Sequence, residues 1–157
     1  MRRWMMSQEA LACPLTKGEK VLVALDGSIY SEYAIDQAIS LGDKCNSTIY
    51  LISVIDLYPE QMAVAAELTE KLSTEARQLL EAGKEKVEKA NLACETIVRM
   101  GGHVHDLIIQ EAKKRDIDLI VMGTHGKSGL RGLFVGSVAQ KVIGHAPCPV
   151  LVVPVLK

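Results

Sequence analysis

Apolar and polar residues follow two different patterns along this chain. Five short runs are almost continuously apolar, at residues 21–25, 49–55, 96–100, 119–122 and 150–155. They are too short for most helices and too continuously apolar for strands with one solvent-exposed face. They therefore predict strands buried on both faces of a parallel sheet. The third run contains Arg99 and follows Glu95, so we expect it at an edge of the sheet.

Between these runs lie four segments whose apolar residues recur at helical spacing. The residues concerned are Ala34, Ile35, Ala38 and Ile39; Leu68, Leu72, Ala76, Leu79, Val87 and Ala90; Leu107, Ile108 and Ala112; and Val138, Val142 and Ile143. Gly42 is a plausible end for the first helix, and Ser137 is a natural N-cap for the last. Pro147 and Pro149 then halt the helix before the final strand.

The resulting order is β-α-β-α-β-α-β-α-β. It predicts an α/β fold in which an open, five-stranded parallel sheet is covered by helices on both faces. In such sheets ligands bind beyond the carboxyl ends of the strands, where the strand order reverses. The segments that follow the predicted strands are polar or glycine-rich, namely Asp26-Gly27-Ser28, Asp56, Gly101-Gly102 and Gly123-Thr124-His125-Gly126.

A chain of 157 residues fits one domain, which we place at residues 19–157 after a flexible leader at 1–18. Its composition, with 48% hydrophobic and 24% charged residues, is ordinary for a globular protein. The formal net charge of -1 gives no general attraction to nucleic acid or to an anionic membrane. Gln8 and Glu9 interrupt any secretory apolar stretch, and no apolar run is long enough to span a bilayer.

The four cysteines are scattered and have no spacing that would close a zinc site. They are Cys13, Cys45, Cys94 and Cys148. We therefore expect reduced, structural thiols and a cytoplasmic protein.

The end of the chain has an unusual charge distribution, because no Asp or Glu follows Asp118. The basic or titratable residues there are Lys127, Arg131, Lys141, Lys157, His125 and His145. This pattern suits an anion, although a charge-poor end of buried strand and loop would look the same.

Two glycine turns are predicted to face one space at the end of the fourth strand. Gly123 and Gly126 follow that strand, and Gly136 and Ser137 open the last helix. Glycine lets the backbone approach an oxyanion, and the N–H groups of Gly136, Ser137 and Val138 at a helix N-terminus favour phosphate. The alternative is that these glycines only form turns.

Neither common nucleotide-binding fingerprint is present. Gly126-Lys127-Ser128 looks like the end of a Walker A loop, but the glycine that motif needs five positions earlier is Val121. Asp26-Gly-Ser-Ile-Tyr is not a dinucleotide-binding Gly-x-Gly-x-x-Gly either. Asp26 could accept hydrogen bonds from ribose or an exocyclic amine, hold a magnesium ion, or simply cap the next helix.

From about residue 20 to residue 155 the chain resembles the universal stress protein family. Gly123, Gly126, Gly136 and Ser137 match the pattern Gly-x2-Gly-x9-Gly-[Ser/Thr] of its ATP-binding branch. The stretch Val-Leu-Val-Ala-Leu-Asp-Gly-Ser at 21–28 resembles that family's opening strand. The stretch His-Ala-Pro-Cys-Pro-Val-Leu-Val-Val-Pro at 145–154 resembles its closing strand.

The resemblance implies strand order 3-2-1-4-5, a homodimer paired through residues 150–155, and bound ATP, with Mg²⁺ or Mn²⁺. It implies adenine near Asp26 and Val54, with ribose and phosphates along the glycine turns. The nucleotide site predicted in this way comprises Ala24, Leu25, Asp26, Val54, Met122, Gly123, His125, Gly126, Arg131, Gly136, Ser137 and Val138. His125 has access to phosphate from within its turn, or faces solvent.

The family often has a proline before the third helix, where this chain has Gly-Gly-His-Val-His-Asp at 101–106. His103 and His105 alone are a poor metal site, and we expect no metal there.

The resemblance implies a nucleotide-dependent switch with weak or no ATP hydrolysis. Lys127 and Arg131 could neutralise phosphate charge, but no catalytic base is identifiable. An adenylyl-transferring or ATP-hydrolysing enzyme of a related fold would need a Ser-Gly-Gly-x-Asp-Ser or His-x-Gly-His motif, which the sequence lacks. A dimerisation module that has lost its nucleotide is the other alternative.

Overall fold

The computed structural model describes Cys13, Leu15, residues 17–127 and residues 135–155. In order, its elements there are β1 (Lys20–Ala24), α1 (Ile29–Cys45), β2 (Thr48–Ile55), α2 (Pro59–Val64), α3 (Ala66–Lys89), β3 (Cys94–Met100), α4 (Val104–Lys114), β4 (Leu119–Gly123), α5 (Ser137–His145) and β5 (Val150–Val153). The predicted α/β fold is confirmed.

The five strands form one parallel sheet in the order β3-β2-β1-β4-β5. In the middle of the sheet, Val23 of β1 pairs with Leu51 of β2 and with Val121 of β4. The strand order implied by the family resemblance is therefore confirmed. β3 lies at an edge, as its charged residues predicted.

Helices cover both faces of the sheet, which explains why the strands are continuously apolar. Val21 and Val23 pack on the face that carries α1 and α3, whereas Leu22 packs on the face of α4 and α5. All three side chains are fully buried. Because successive strand residues point to opposite faces, a strand that is covered on both sides needs an apolar residue at every position.

The first helix runs past its predicted end. The N-cap of α1 is Ser28, whose side chain accepts a hydrogen bond from Ser31 N at 3.2 Å, and its C-cap is Asn46, which has a left-handed φ of 52°. Gly42 as a helix stop is therefore wrong. A Cβ at Gly42 would lie 2.9 Å from Leu92 Cδ1, so a glycine at this position within the helix allows Leu92 to pack closely against α1.

The second crossover contains an additional helix. The short α2 buries none of its residues and precedes the predicted long helix, which is α3. The predicted apolar stripe starts one turn too early, because Leu68 is 46% exposed. Ala90 is the C-cap of α3 rather than part of its last turn.

Two of the four cysteines are bonded to each other. Cys13 and Cys45 form a disulfide that joins the start of the described chain to the last residue of α1. The expectation of four reduced thiols is therefore wrong for this pair, while Cys94 and Cys148 are free. Leu15 packs against the α1/α3 side of the core. Residues 1–12, 14 and 16 of the predicted leader lie outside the described residues.

Among the helices that the structure describes, none has the length and apolar character needed to cross a bilayer.

Candidate functional site

The candidate site lies where β1 and β4 run side by side at the centre of the sheet. Going outward from β1 the strand order is β2, β3 on one side and β4, β5 on the other, so the connections reverse at this point. α1 covers one face here and α5 covers the other. The turns after β1 and β4 open at the same edge, in the crevice where such sheets bind ligands.

The structure brings the two glycine turns together. Gly136 N donates a hydrogen bond to Thr124 O at 2.7 Å, which joins the approach to α5 to the turn after β4. A Cβ at Gly136 would lie 3.1 Å from Thr124 O and 3.4 Å from His125 Cα. A side chain at this position would therefore push the two turns apart. The N–H of Gly136 was expected to be a phosphate donor. This expectation is wrong, because the N–H already donates to Thr124 O.

The N-terminus of α5 is directed at this junction. Gly136 is the N-cap and makes no side-chain capping bond, so Ser137 is the first helical residue rather than the predicted cap. The N–H groups of a first helical turn have no partner within the helix, and the helix dipole makes that end partly positive. Ser137 and Val138 hold such N–H groups, and the side chain of Ser137 is exposed. This end of α5 can bind an anion.

Gly123 has a packing role that the sequence did not indicate. A Cβ at this residue would lie 2.5 Å from Tyr30 Cβ and 2.9 Å from the backbone carbonyl carbon of Tyr30. The missing side chain therefore allows α1 to lie directly against the end of β4. Substitution at Gly123 would disturb this contact, whether or not a ligand binds.

Asp26 connects the turn after β1 to the turn after β4. Its Oδ1 accepts a hydrogen bond from Ser28 N at 2.9 Å, and its Oδ2 accepts one from Lys127 N at 2.9 Å. Because Ser28 itself is the N-cap of α1, the alternative that Asp26 caps the helix does not apply. Each carboxylate oxygen can accept a further hydrogen bond, so the side chain can still bind a ligand hydroxyl.

Four other predicted residues lie at the carboxyl ends of β1, β2 and β4. Leu25 and Met122 are each 5% exposed, so they offer little surface to a ligand. The N–H of Leu25 already donates to Ile52 O at 2.8 Å. Ala24 and Val54 are half-buried.

His125 packs within the protein on one side. Its Nδ1 lies 3.1 Å from Thr124 Oγ1, and its ring centroid lies 5.2 Å from that of Tyr30. The ring is half-buried, so it does not lie free in solvent. It contacts Tyr30 as well as the glycine turn. Arg131 lies outside the described residues.

Sequence reasoning did not place Tyr30, Thr124 or Lys127 in the site. The sequence indicated Lys127 only as a residue that could neutralise phosphate charge and as part of an incomplete Walker A motif. The available signal was position, because each of these residues stands within four residues of a predicted strand end or turn glycine.

The paired histidines lie at the start of α4, just after the carboxyl end of β3. His103 Nδ1 is 3.0 Å from the Tyr58 hydroxyl, and the rings of His103 and His105 stack with centroids 5.6 Å apart. Across residues 17–127 and 135–155 no three side chains of His, Cys, Asp or Glu come together as a metal site.

Comparison with known proteins identifies relatives over nearly the whole domain. The family model for the universal stress protein family matches residues 18–154. The universal stress protein MJ0531 of Methanocaldococcus jannaschii is 36% identical over 140 residues, which cover 86% of this chain and 81% of that protein. The universal stress protein Sll1388 of Synechocystis sp. is 38% identical over 149 residues, which cover 85% and 96% of the two chains.

Solved structures have the same fold. The hypothetical protein MJ0577 superposes with a TM-score of 0.80 at 30% identity, over 88% of this chain and 97% of that one. More distant structures, at 22–23% identity, include universal stress proteins in complex with cAMP, with dAMP and, from Arabidopsis thaliana, with AMP. At that identity these structures support the fold alone. From the match over residues 18–154 and from the curated relatives, the chain belongs to the universal stress protein family.

Proposed function

We propose that this protein binds ATP in the crevice between the carboxyl ends of β1 and β4 and acts as a nucleotide-dependent switch in a stress response. The phosphates would lie on the turn at Gly123–Gly126 and at the N-terminus of α5. The adenine would lie toward Asp26 and Val54. The observation that carries this proposal is the Gly136 N to Thr124 O bond of 2.7 Å, which sets a helix N-terminus against a glycine turn.

The charge distribution supports the phosphate end of the site. Lys127 lies next to the turn, and no acidic residue follows Asp118 in the sequence. Asp26 is the acidic side chain that reaches this turn, and two backbone N–H groups already donate to it. A phosphate group there would meet N–H donors and the Lys127 cation, and the hydrogen bonds that Asp26 accepts offset part of the repulsion from its carboxylate.

Relatives of the same fold support adenine as the base. Structures of universal stress proteins have been solved with AMP, dAMP and cAMP bound. These ligands belong to those proteins, and their common part is an adenine nucleoside phosphate. ATP has the same part and two more phosphates for the glycine turns.

The proposed metal is Mg²⁺ or Mn²⁺ carried by the nucleotide. No cluster of three potential metal ligands lies within the described ranges. Mg²⁺ commonly keeps several waters and binds through phosphates with only one or two carboxylates, so a protein cage is not required.

We propose that ATP is retained, with weak or no hydrolysis. Fast hydrolysis needs a residue that positions or deprotonates the attacking water. In the described turns after β1 and β4, at residues 26–28 and 123–127, Asp26 is the one carboxylate, and its hydrogen bonds from Ser28 N and Lys127 N hold these turns together. The loop between Gly126 and Gly136 would become ordered on ATP, although residues 128–134 lie outside those described.

Binding is tested with two alanine substitutions in the same part of the chain. Gly136→Ala places a Cβ 3.1 Å from Thr124 O, whereas a Cβ at Gly144 in α5 would have no atom of another described segment within 4 Å. Isothermal titration of ATP should give weaker binding for Gly136→Ala and unchanged binding for Gly144→Ala. A Gly123→Val variant is unsuitable, because it would also disturb α1.

Two outcomes would contradict the proposal. If the wild-type protein has no measurable ATP affinity and contains no adenine nucleotide when purified, it is a module without nucleotide. If it releases phosphate from ATP at about 1 s⁻¹ or faster, within the usual range of enzymes, it is a hydrolase instead.

The homodimer would form along the open edge of β5. In parallel pairing the odd-numbered residues of β5 face β4, as the bonds from Ile120 N to Pro149 O and from Thr124 N to Val153 O indicate. The N–H groups of Val150 and Val152 then point outward. Val152→Pro removes one outward donor and should convert a dimer to a monomer in light scattering, with the circular dichroism spectrum unchanged.

We place the protein in the cytoplasm, where ATP is available. Disulfides are rare in that compartment, so the Cys13–Cys45 bond provides a test. Alkylation of intact, unstressed cells should find both thiols reduced. A bond present under those conditions would contradict the location, except in a hyperthermophile.

A further inference from the structure

We propose that Asp26 positions the phosphate turn, by fastening it to the turn after β1, rather than serving mainly as a ligand for the nucleoside. This inference rests on the proposed function. The turn clamp is defined by Asp26 and Gly27 after β1 and by Gly126 and Lys127 after β4. Asp26 acts here as a positioning residue.

The first element of the turn clamp is a pair of hydrogen bonds to one carboxylate. Oδ2 accepts from Lys127 N at 2.9 Å, although the two residues are 101 positions apart in the sequence. Oδ1 accepts from Ser28 N at 2.9 Å, which fixes the rotation of the side chain. The carboxylate therefore has a defined orientation before any ligand arrives.

The second element is reciprocal packing, in which each turn has a glycine where the other turn places its charged side chain. A Cβ at Gly126 would lie 2.7 Å from Asp26 Oδ2. A Cβ at Gly27 would lie 3.3 Å from Lys127 Cε and 3.6 Å from Lys127 Nζ. Gly27 also has a φ of +80°, which side chains rarely adopt.

This arrangement fixes the start of the path that leads from the glycine turn to α5. Lys127 is anchored through its backbone N–H, while its ammonium group lies beside Gly27 at the crevice. Among the described residues no acidic side chain forms an ion pair with it. Its charge is thus available to a phosphate. Opening the turn clamp should displace phosphate donors and leave the adenosine end in place.

The test compares ATP with adenosine, which lacks the phosphates. Asp26→Asn keeps the shape of the side chain but replaces one acceptor oxygen by an NH₂ group, which cannot accept from a backbone N–H. We expect ATP affinity to fall about tenfold or more, and adenosine affinity, followed by NMR, to fall less than about threefold. Asp56→Asn is the matched control, since Asp56 is exposed and follows β2 as Asp26 follows β1.

A double-mutant cycle separates the turn clamp from direct binding. Gly126→Ala leaves the Asp26 carboxylate present but forces it away, so it should weaken ATP binding as Asp26→Asn does. Among the described residues only Asp26 atoms lie within 4 Å of the new Cβ, so in an Asp26→Ala background Gly126→Ala should have little further effect. Equal losses for ATP and adenosine in Asp26→Asn, or additive effects in the cycle, would overturn the inference.

Amide hydrogen exchange distinguishes this inference from the function on which it rests. The Lys127 amide should be protected in the wild-type protein without nucleotide and should exchange faster in Asp26→Asn. Equal exchange in the two proteins overturns the turn clamp even if ATP binds. If the wild-type protein binds neither ATP nor adenosine, the proposed function fails, whatever the exchange result.

Discussion

At the scale of single residues, the glycines of this chain differ in what surrounds their α-carbons. A Cβ at Gly83 of α3 would lie 2.9 Å from Leu51 Cδ1, 3.1 Å from Leu25 Cδ1 and 3.2 Å from Ile35 Cδ1. For Gly144 of α5, no atom from the rest of the described chain lies within 4 Å of the same position. The two residues look alike in the sequence, because both are glycines inside helical patterns. The difference arises from the sheet beneath α3.

This contrast predicts opposite effects of one substitution. Gly144→Ala should raise the free energy of unfolding by up to about 1 kcal/mol, because alanine favours the helix. Gly83→Ala should lower it by about 1–3 kcal/mol, because the core is already filled there. Urea unfolding followed by circular dichroism measures both. A stabilised Gly83→Ala would contradict the packing described for α3.

At the scale of elements, an ionic network attaches the edge strand β3 to α4. Glu111 of α4 is 2% exposed and pairs with Arg99 of β3 and, at 3.0 Å, with Arg115. Arg115 also contacts Glu95 of β3 at 3.1 Å and lies 5.3 Å from the centre of the Tyr50 ring. The charged residues that marked β3 as an edge strand in the sequence therefore also connect it to the helix that covers it.

Removing the central charge should loosen this attachment. Burial alone would raise the pKa of Glu111, but hydrogen bonds from Arg115 and Arg99 outweigh it and hold the pKa below its usual value. The stabilisation is therefore complete above the usual glutamate pKa and is lost as the pH falls through the lower pKa of the folded state. Glu111→Gln should cost about 2–3 kcal/mol at pH 7.

Urea titrations at pH 7 and at lower pH check this prediction. Because a glutamine side chain cannot ionise, the Glu111→Gln variant should lose less stability on acidification than the wild-type protein. An identical pH dependence in both proteins would mean that the two arginines do not stabilise the carboxylate. Glu85→Gln, on the exposed face of α3, is a control whose ion pair with Lys89 spans 4.0 Å.

The sequence predicted the existence and order of these elements better than their ends. Periodicity placed the five strands and the four longer helices, because a sheet covered on both faces imposes a strong local pattern. Gly42 misled because its reason is a contact with Leu92, distant in the sequence. α2 was missed because it buries no residue and so has no apolar stripe.

At the scale of the whole molecule, the Cys13–Cys45 disulfide closes a loop around β1 and α1. The bonded residues are 32 positions apart. No cysteine spacing in the sequence indicated this pairing, since the contact depends on where the chain before β1 returns to the end of α1. The candidate site was more accessible to prediction, because glycine spacing and strand ends are local features. The Asp26 to Lys127 contact was not, because it joins two turns 101 residues apart.

The disulfide predicts a thiol count that depends on reductant. The air-oxidised protein should have two reactive thiols after unfolding, and the reduced protein should have four. Cys94 should also react slowly in the folded protein, because burial raises the pKa of its thiol to about 11. A chain-entropy argument gives about 2–4 kcal/mol of stability from the bond, measurable by urea unfolding with and without reductant. Four reactive thiols without reductant would contradict the bond.

The most direct test of the ATP proposal is an NMR titration of the ¹⁵N-labelled protein with Mg·ATP. We expect the amide signals of Gly126, Lys127, Ser137 and Val138 to shift in a saturable manner, together with those near Asp26. The amide signals of residues at the amino ends of the strands, such as Asp118 and Cys148, should not shift. Saturable shifts centred on the amino ends of the strands, or no shifts at millimolar ATP, would contradict the proposal.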